Sequence, residues 1–596
     1  MTVAASPPSL PKKRAGRLAR LFREPNAIWM REMRQSARLG RTPWILFALS
    51  LTISLLMCSI GGIAATDNAS PASLGGGLFQ TFFSIAVFVV MIVGPTVAAN
   101  SIASEREGRT WEAVLLTGLS PREIARGKFI AAYTSIAMHI VVLAPVGALP
   151  FLFGGVTPVE VVVAFAFLFV FAALAVAFGL AVSSLMSSLR GAIVVTLILA
   201  ICIGPVLYSV FGFGASFAVH KIWNDVPEGF PVWLPLAYTR APFGLEYLLL
   251  LIAVPLLLIL VPAWFLYAVT IANLTGETDD RSTGLKMWFL ASTPLVMLAC
   301  ALPGAVAIDD AERVRWSVMG ETAFAVFAGF CALLFAFDPP GPSRRVLVHW
   351  RRMGAGVLRR FFGPGLPKTA SLVVLLCFVG LIAVPAIDLV MLYLQPATSP
   401  TASASWTYWS PHAPSRNDRL SQIFVFGAYC APYFVFTMGI VAYFRSRGNT
   451  PWMTRLIAGG ILFLMAAAPW VVAAIGGVVS STHDDSWLVV AAPSPFFAYA
   501  MVGQAEHVGS GDDTPIIQVG LAAAMVWGFL GLLFLVLAGR RCARIVREYN
   551  QVNVQTDAAL RAEDDARAAA ALAVDGGGTS PASQDGAPPD PNGAPA

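Results

Sequence analysis

Apolar runs of about 20 residues recur along this chain between short polar connections, and each run is long enough to cross a bilayer as a helix. The pattern predicts an all-α polytopic membrane protein with about twelve transmembrane helices. The first six are expected at Trp44–Ala65, Leu78–Ser101, Phe129–Phe153, Val159–Met186, Gly191–Phe213 and Tyr247–Ala272. The second six are expected at Met287–Ile308, Trp316–Phe337, Ala370–Leu394, Gln422–Phe444, Leu456–Ser480 and Ile516–Ala538.

The polar connections set an orientation. With the N-terminus inside, the basic stretches Lys12–Arg41, Ser104–Lys128, Arg344–Lys368, Arg445–Arg455 and Arg540–Arg547 all fall on the inner side, as the positive-inside bias requires. The opposite connections carry Asp67, Asp309, Asp310, Asp484, Asp485, Asp512 and Asp513. Both termini are then cytoplasmic. The first apolar run follows more than forty polar and basic residues and is long enough to span, so it is expected to be retained rather than cleaved.

Composition agrees: 57% of residues are hydrophobic, 12% are charged, and the mean hydropathy is +0.70. A soluble domain would carry about twice that charged fraction. The net charge of +6 lies in short loops beside apolar runs, so topology explains it without a nucleic-acid partner. Arginine greatly outnumbers lysine, a compositional association with GC-rich bacterial genomes that suggests a bacterial inner membrane. The 7 cysteines form no Cys-x-x-Cys pair, and all but Cys542 lie in apolar runs, so neither a metal site nor a disulfide framework is expected.

One interruption is chemically distinctive. Ser104–Lys128 reads SEREGRTWEAVLLTGLSPREIARGK, with Glu105, Arg106, Glu107, Arg109 and Glu112 ahead of Val114, Leu115 and Leu116. A break is expected from Thr117 to Pro121, and a new helix then starts with Ser120 as N-cap, Pro121 in the first turn and Glu123 completing a capping box. A short amphipathic helix between two spans is the result.

This segment resembles the cytoplasmic loop between the second and third spans of ABC-2-type transporter permeases. That loop typically reads Glu-Arg-Glu, Gly-Thr, Glu, a leucine run, Thr-Pro-Leu-Ser, Glu-Ile and Gly-Lys. Glu105, Arg106, Glu107, Thr110, Glu112, Leu115, Thr117, Leu119, Ser120, Glu123, Ile124, Gly127 and Lys128 fall in register with it. Two departures stand out: the glycine is Gly108 rather than the residue before Thr110, and Gly118 replaces the proline. Asn26–Trp44 is similar to the N-terminal interfacial helix of the same family.

The resemblance implies a membrane permease of an ATP-driven exporter, not itself an enzyme, whose coupling helix docks on a separate cytoplasmic ABC ATPase holding the ATP and Mg. Glu105, Arg106, Glu107, Thr110, Glu112, Leu115, Leu116, Ser120 and Glu123 would then carry the coupling, with Trp29, Met33 and Ala37 anchoring the preceding helix at the inner surface. The absence of a Gly-x-x-x-x-Gly-Lys-Ser/Thr loop fits a partner that supplies the hydrolysis. The expected organisation is an N-terminus with its interfacial helix (1–43), a first six-helix unit (44–273), a linker (274–286), a second six-helix unit (287–539) and a C-terminal helix with a disordered tail (540–596).

The second half is expected to echo the first. Trp233, Leu234, Pro242 and Phe243 precede the sixth span as Trp487, Leu488, Pro495 and Phe496 precede the twelfth. Such proline-broken stretches need their freed backbone groups satisfied within protein. The basic loop Arg344–Lys368 then sits where Ser104–Lys128 sits in the first half; it suits an amphipathic helix on an anionic leaflet, or a second coupling loop of different chemistry. A homodimer or a pseudo-dimer of the two units both remain open.

His139, Glu321 and Asp388 lie within spans and are candidate pathway residues, because ionisable groups are costly there. The paired aspartates of the outward loops support one alternative, a membrane-embedded transferase acting on lipid-linked substrates. The intramembrane acids support another, an ion-coupled secondary transporter. Gly459-Gly460 and Gly476-Gly477 are read as sites of close helix packing.

Overall fold

The computed structural model describes residues 26–38, 41–66, 70–209, 219, 223, 233–276, 278–306, 310–354, 356–394, 416–480, 485–505 and 516–576. The regular structure among them is entirely helical. The first half holds α1 (Ala27–Arg38), α2 (Arg41–Thr66), α3 (Pro71–Glu107), α4 (Trp111–Leu116), α5 (Pro121–Phe153), α6 (Pro158–Leu185), α7 (Leu189–Ser209), α8 (Trp233–Arg240) and α9 (Leu245–Leu274). The second half holds α10 (Thr283–Val306), α11 (Asp310–Leu334), α12 (Arg344–Arg352), α13 (Val357–Phe362), α14 (Leu366–Leu394), α15 (Arg416–Ser446), α16 (Pro451–Ser480), α17 (Phe497–Ala505) and α18 (Ile516–Gly576).

Among the described residues, 11 helices are long and apolar enough to cross a membrane. The remaining expected span lies on α2, whose described apolar stretch is Ser50–Ile63. The protein is thus a multi-pass, all-α membrane protein. Several helices outrun the apolar run that predicts them: α3 has 37 residues, because polar turns continue the helix beyond hydrocarbon at Ser101–Glu107. The C-terminal helix extends furthest, since α18 runs unbroken for 61 residues through Ala538 and Thr556 to Gly576. The alanine-rich stretch after Thr556 is part of this helix, as its good helix formers allow. Residues 577–596, where the disordered tail is expected, lie outside the described residues.

Packing recurs between the halves. In the first, α6 is central and touches α3 and α9; in the second, α15 is central and touches α11 and α18. Small residues permit the close crossings, since a Cβ on Gly179 would overlap the carbonyl oxygen of Pro95, and one on Gly531 would lie 2.5 Å from the amide nitrogen of Phe436. The glycine pairs singled out in the sequence do not serve this purpose. A Cβ on Gly459, Gly460 or Gly477 would meet nothing within 4 Å, and Gly476 accommodates the Trp487 ring rather than another span.

The apolar cores meet at α9, whose Val261 carbonyl accepts from Trp288 Nε1 at 3.1 Å and whose Phe265 ring lies 4.7 Å from the Trp288 ring. Pro255 has no amide hydrogen to give the Leu251 carbonyl, and the helix widens into a π turn over Leu248–Ala253 just before it. The Tyr238 hydroxyl of α8 donates to that carbonyl, tying the proline-broken stretch to the span it precedes. In the second half the stretch is the acceptor: the Tyr429 hydroxyl of α15 donates to Ala492 O at 2.6 Å.

A line of polar contacts places several connections at one end of the bundle. Arg106 at the end of α3 donates to Ser184 O at 2.8 Å, Asn273 at the end of α9 donates to Ser184 Oγ at 2.9 Å, and Ser282 before α10 donates to Asp338 after α11. The connections α3–α5, α6–α7, α9–α10 and α11–α14 therefore share that end.

Candidate functional site

The α3–α5 connection is built on a buried ionic lock. Lys128, fully buried on α5, places Nζ 3.0 Å from Glu105 Oε2, 3.1 Å from Glu32 Oε1 and 2.7 Å from Ser101 O. The ammonium donates to Glu32 Oε1 and to Ser101 O and is ion-paired with Glu105, the kind of compensation a buried charge requires. Arg31 pairs with the other oxygen of Glu105 and with Glu32 at 3.0 Å. The lock therefore joins α1, α3 and α5. Asn26 adds a bond from Nδ2 to Glu123 O at 2.8 Å, and α1 approaches α5 at Gly127, where a Cβ would lie 2.5 Å from Asn26 Oδ1 and 2.8 Å from Ile28 Cβ.

The last turn of α3 is also tied to the α6–α7 connection. Arg106 donates to Ser184 O and to Met186 O, the latter at 3.2 Å, and its guanidinium stands 5.6 Å from the centre of the Trp111 ring. Glu107 accepts from Leu189 N at 2.6 Å, at the first residue of α7. Ser183 accepts from Ala103 N at 2.9 Å.

After Gly108 the chain turns sharply. Arg109 takes φ 55, a left-handed conformation uncommon for a residue with a Cβ, while Thr110 N donates to Glu105 O at 2.9 Å. α4 follows for 6 residues, anchored by buried Val114 and half-buried Trp111. Its other side is open: Glu112, Leu115 and Leu116 are exposed, Leu116 by 87%. Gly118, with φ 71, closes α4, and α5 starts with the expected capping box, Glu123 Oε2 accepting from Ser120 N at 2.8 Å and Ser120 Oγ accepting from Glu123 N at 3.4 Å. The arrangement is a short apolar and acidic tip on a base braced to several spans. The base of the tip is thus connected to α3, α5 and the start of α7.

The residues expected to form one coupling helix divide into three groups. Glu105, Arg106 and Glu107 belong to the end of α3 and face other parts of the chain, because the break falls at Gly108–Thr110 as well as at Thr117. Glu112, Leu115 and Leu116 form the exposed tip, with Thr110 before it. Ser120 and Glu123 cap α5. Trp29 and Met33 are half-buried on α1, and the side chain of Ala37 lies outside the described residues. Arg31, Glu32 and Lys128, absent from the expected site residues, form the lock; the signal available in the sequence was a lysine placed against a span with no local acid to pair it.

The candidate pathway residues lie in both halves, His139 in the first and Glu321 and Asp388 in the second. His139 on α5 places Nδ1 2.7 Å from Ser135 O of its own helix. Glu321 on α11 and Asp388 on α14 are fully buried in the second half and lie near one another, Asp388 beside Arg313 and Ser317 as well. A Cβ at Gly304 would lie 2.6 Å from Asp388 Oδ1, and one at Gly427 would lie 3.0 Å from Glu321 Oε2, so glycines make room for both carboxyls. No neighbouring acid at helical spacing predicted this meeting, which tertiary packing alone produces. Of the outward aspartates, Asp67, Asp309, Asp484, Asp512 and Asp513 lie outside the described residues, and no group of three metal-binding side chains occurs among the described ones.

Residues 65–237 match the sequence model of the family described as ABC-2 family transporter protein. The chain thus carries an ABC-2-type permease unit over that segment, which runs from the end of α2 into α8 and includes the tip. Asn26–Trp44 and the second half lie outside the match. No curated protein matches the chain.

Proposed function

We propose that this membrane permease of the ABC type is the transport subunit of an ATP-driven exporter, worked by a separate cytoplasmic ATPase that docks on α4. The observation that carries the reading is the exposed tip of Glu112, Leu115 and Leu116 on a base locked to α1, α3 and α5. An apolar side chain 87% open at a polar loop tip is covered at a protein contact more favourably than in water. The partner holds ATP and Mg; this chain supplies the surface that receives the movement. The loop end of the bundle is then cytoplasmic, in agreement with the basic connections, and the membrane is a bacterial inner membrane.

In this mechanism the ATPase moves α4 as it closes on nucleotide. Because Glu107 holds the start of α7 and Arg106 the end of α6, movement of the tip reaches the α6–α7 connection without passing through a flexible loop. The spans of the first unit are displaced as a set, which is what exposing a pathway alternately to the two sides demands.

The test is the variant Glu112→Lys with Leu116→Asp, both exposed and outside the lock. Leaving the partner charge of a desolvated pair unmatched costs about 2 to 5 kcal/mol, and a lost leucine contact about 1.5 to 3. Co-purification of the ATPase should fall at least about tenfold while the permease stays at its normal level in the membrane. Full ATPase recovery and undiminished transport by the double variant would sink the proposal.

A further inference from the structure

The α11–α14 connection and the start of the polar part of α18 enclose an open cleft of about 550 Å³. Its apolar lining includes Pro340, Leu347, Trp350 and Val546, and α18 also lines it at Gly539. Arg351, Arg360 and Lys368 also line it. That size suits a drug-sized apolar ligand with a few polar anchors.

Charge selects the kind of ligand. Arg344 pairs with Asp557 and Arg345 with Asp279 at 3.3 Å, whereas Arg351, Arg352, Arg359 and Arg360 have no acidic partner among the described residues. Lys368 Nζ donates to the Arg360 carbonyl at 2.7 Å and stands 5.6 Å from the centre of the Trp350 ring, likewise with no acid beside it. Asp338, the nearest acid in sequence, is buried and engaged by Lys286 at 3.0 Å. The mouth of the cleft is therefore positive and unneutralised.

Position selects the source. Gly539 follows the last residue of the expected apolar span, so this part of the cleft lies where hydrocarbon gives way to headgroups. On the same connection Val357 and Leu358 are 86% and 73% exposed beside the arginines, as side chains dipping into a bilayer surface would be. A soluble peptide would have to displace headgroups to reach the cleft; a lipid of the adjoining leaflet is already there.

We infer that this cleft binds one anionic phospholipid, its phosphate held by Arg351, Arg360 and Lys368 and the upper part of an acyl chain laid against Trp350, Leu347 and Val546. The bound lipid bridges α12 and α13 to α18, all of which line the cleft.

The test is native mass spectrometry of the full-length protein in detergent, titrated with phosphatidylglycerol or with phosphatidylcholine of the same acyl chains. One tight phosphatidylglycerol adduct is expected, favoured about tenfold or more over phosphatidylcholine, as two or three basic contacts supply. Arg351→Glu with Arg360→Glu should erase that preference. Gly539→Phe should block both lipids while the melting temperature stays at the wild-type value, since a Cβ there meets nothing within 4 Å. Equal binding of the two lipids to the wild type, or a preference that survives both variants, overturns the inference. Displacement of the lipid by equimolar glycerol phosphate overturns it too, since the cleft would then recognise a free phosphate ester.

Discussion

The two connections that follow the second span of each half, α3–α5 and α11–α14, solve the same structural problem and present opposite surfaces. Each buries a lysine against an acid at the end of the preceding span, Lys128 with Glu105 and Lys286 with Asp338. Each also uses a glycine to admit an amphipathic segment: Gly127 lets α1 onto α5, and Gly363 lies where a Cβ would overlap the Trp350 ring of α12. Above these bases the chemistry diverges. The first connection ends in Glu112, Leu115 and Leu116, suited to a protein surface, while the second ends in arginines and exposed aliphatic residues, suited to lipid. Buried parts of the two connections answer to the bundle, and exposed parts answer to whatever covers them.

The largest expected effect comes from the locks, and it tests whether they are equivalent. Lys286→Met leaves the fully buried Asp338 carboxylate with neutral donors only, namely Ser282, Thr369 and Gly365 N at 3.3 Å. Breaking such a pair costs about 3 to 5 kcal/mol. Lys128→Met should cost less, about 1 to 3 kcal/mol, because Glu105 keeps Arg31. Thermal melting of the purified variants in one detergent orders them; a larger loss for Lys128→Met would break the comparison.

A smaller effect is expected at the glycines. Gly127→Val and Gly363→Val both force a side chain into an occupied place, at about 1 to 3 kcal/mol each. Limited proteolysis should show α1 released in the first variant and α12 in the second. Cleavage at the same site in both would mean that the two connections are not independent.

The smallest effect is assigned to the exposed pair that joins the second connection to the C-terminal helix. Asp557→Ala removes the partner of Arg344, and both side chains are about two-fifths exposed. Such pairs contribute about 0 to 1 kcal/mol, so the melting temperature should shift little if at all. A large shift would show the helix end to be held more firmly than its contacts imply.

Local signals carried the legible part of the fold. Long apolar runs located the spans, and Ser120, Pro121 and Glu123 announced the start of α5, because a capping box is written within four consecutive residues. What escaped the sequence was tertiary. Glu32 and Lys128 are 96 positions apart, and Glu321 and Asp388 meet only because α11 packs on α14. The break at Arg109 was hidden for a different reason: a non-glycine residue rarely takes positive φ, so the expected break was placed only at Thr117–Pro121. The single helix expected over this loop joined the exposed tip to Glu105–Glu107, which the same break separates from it.

One feature of α18 is mechanical. A helix rises about 1.5 Å per residue, so the part from Arg540 to Gly576 extends roughly 55 Å past the expected end of the hydrocarbon. A rod of that length, continuous with a span packed along α15, magnifies whatever the span does: a tilt of about 5° carries its far end through roughly 5 Å. The last helix is thereby a pointer, turning movements too small to matter inside the bilayer into displacements on the scale of a side chain well outside it.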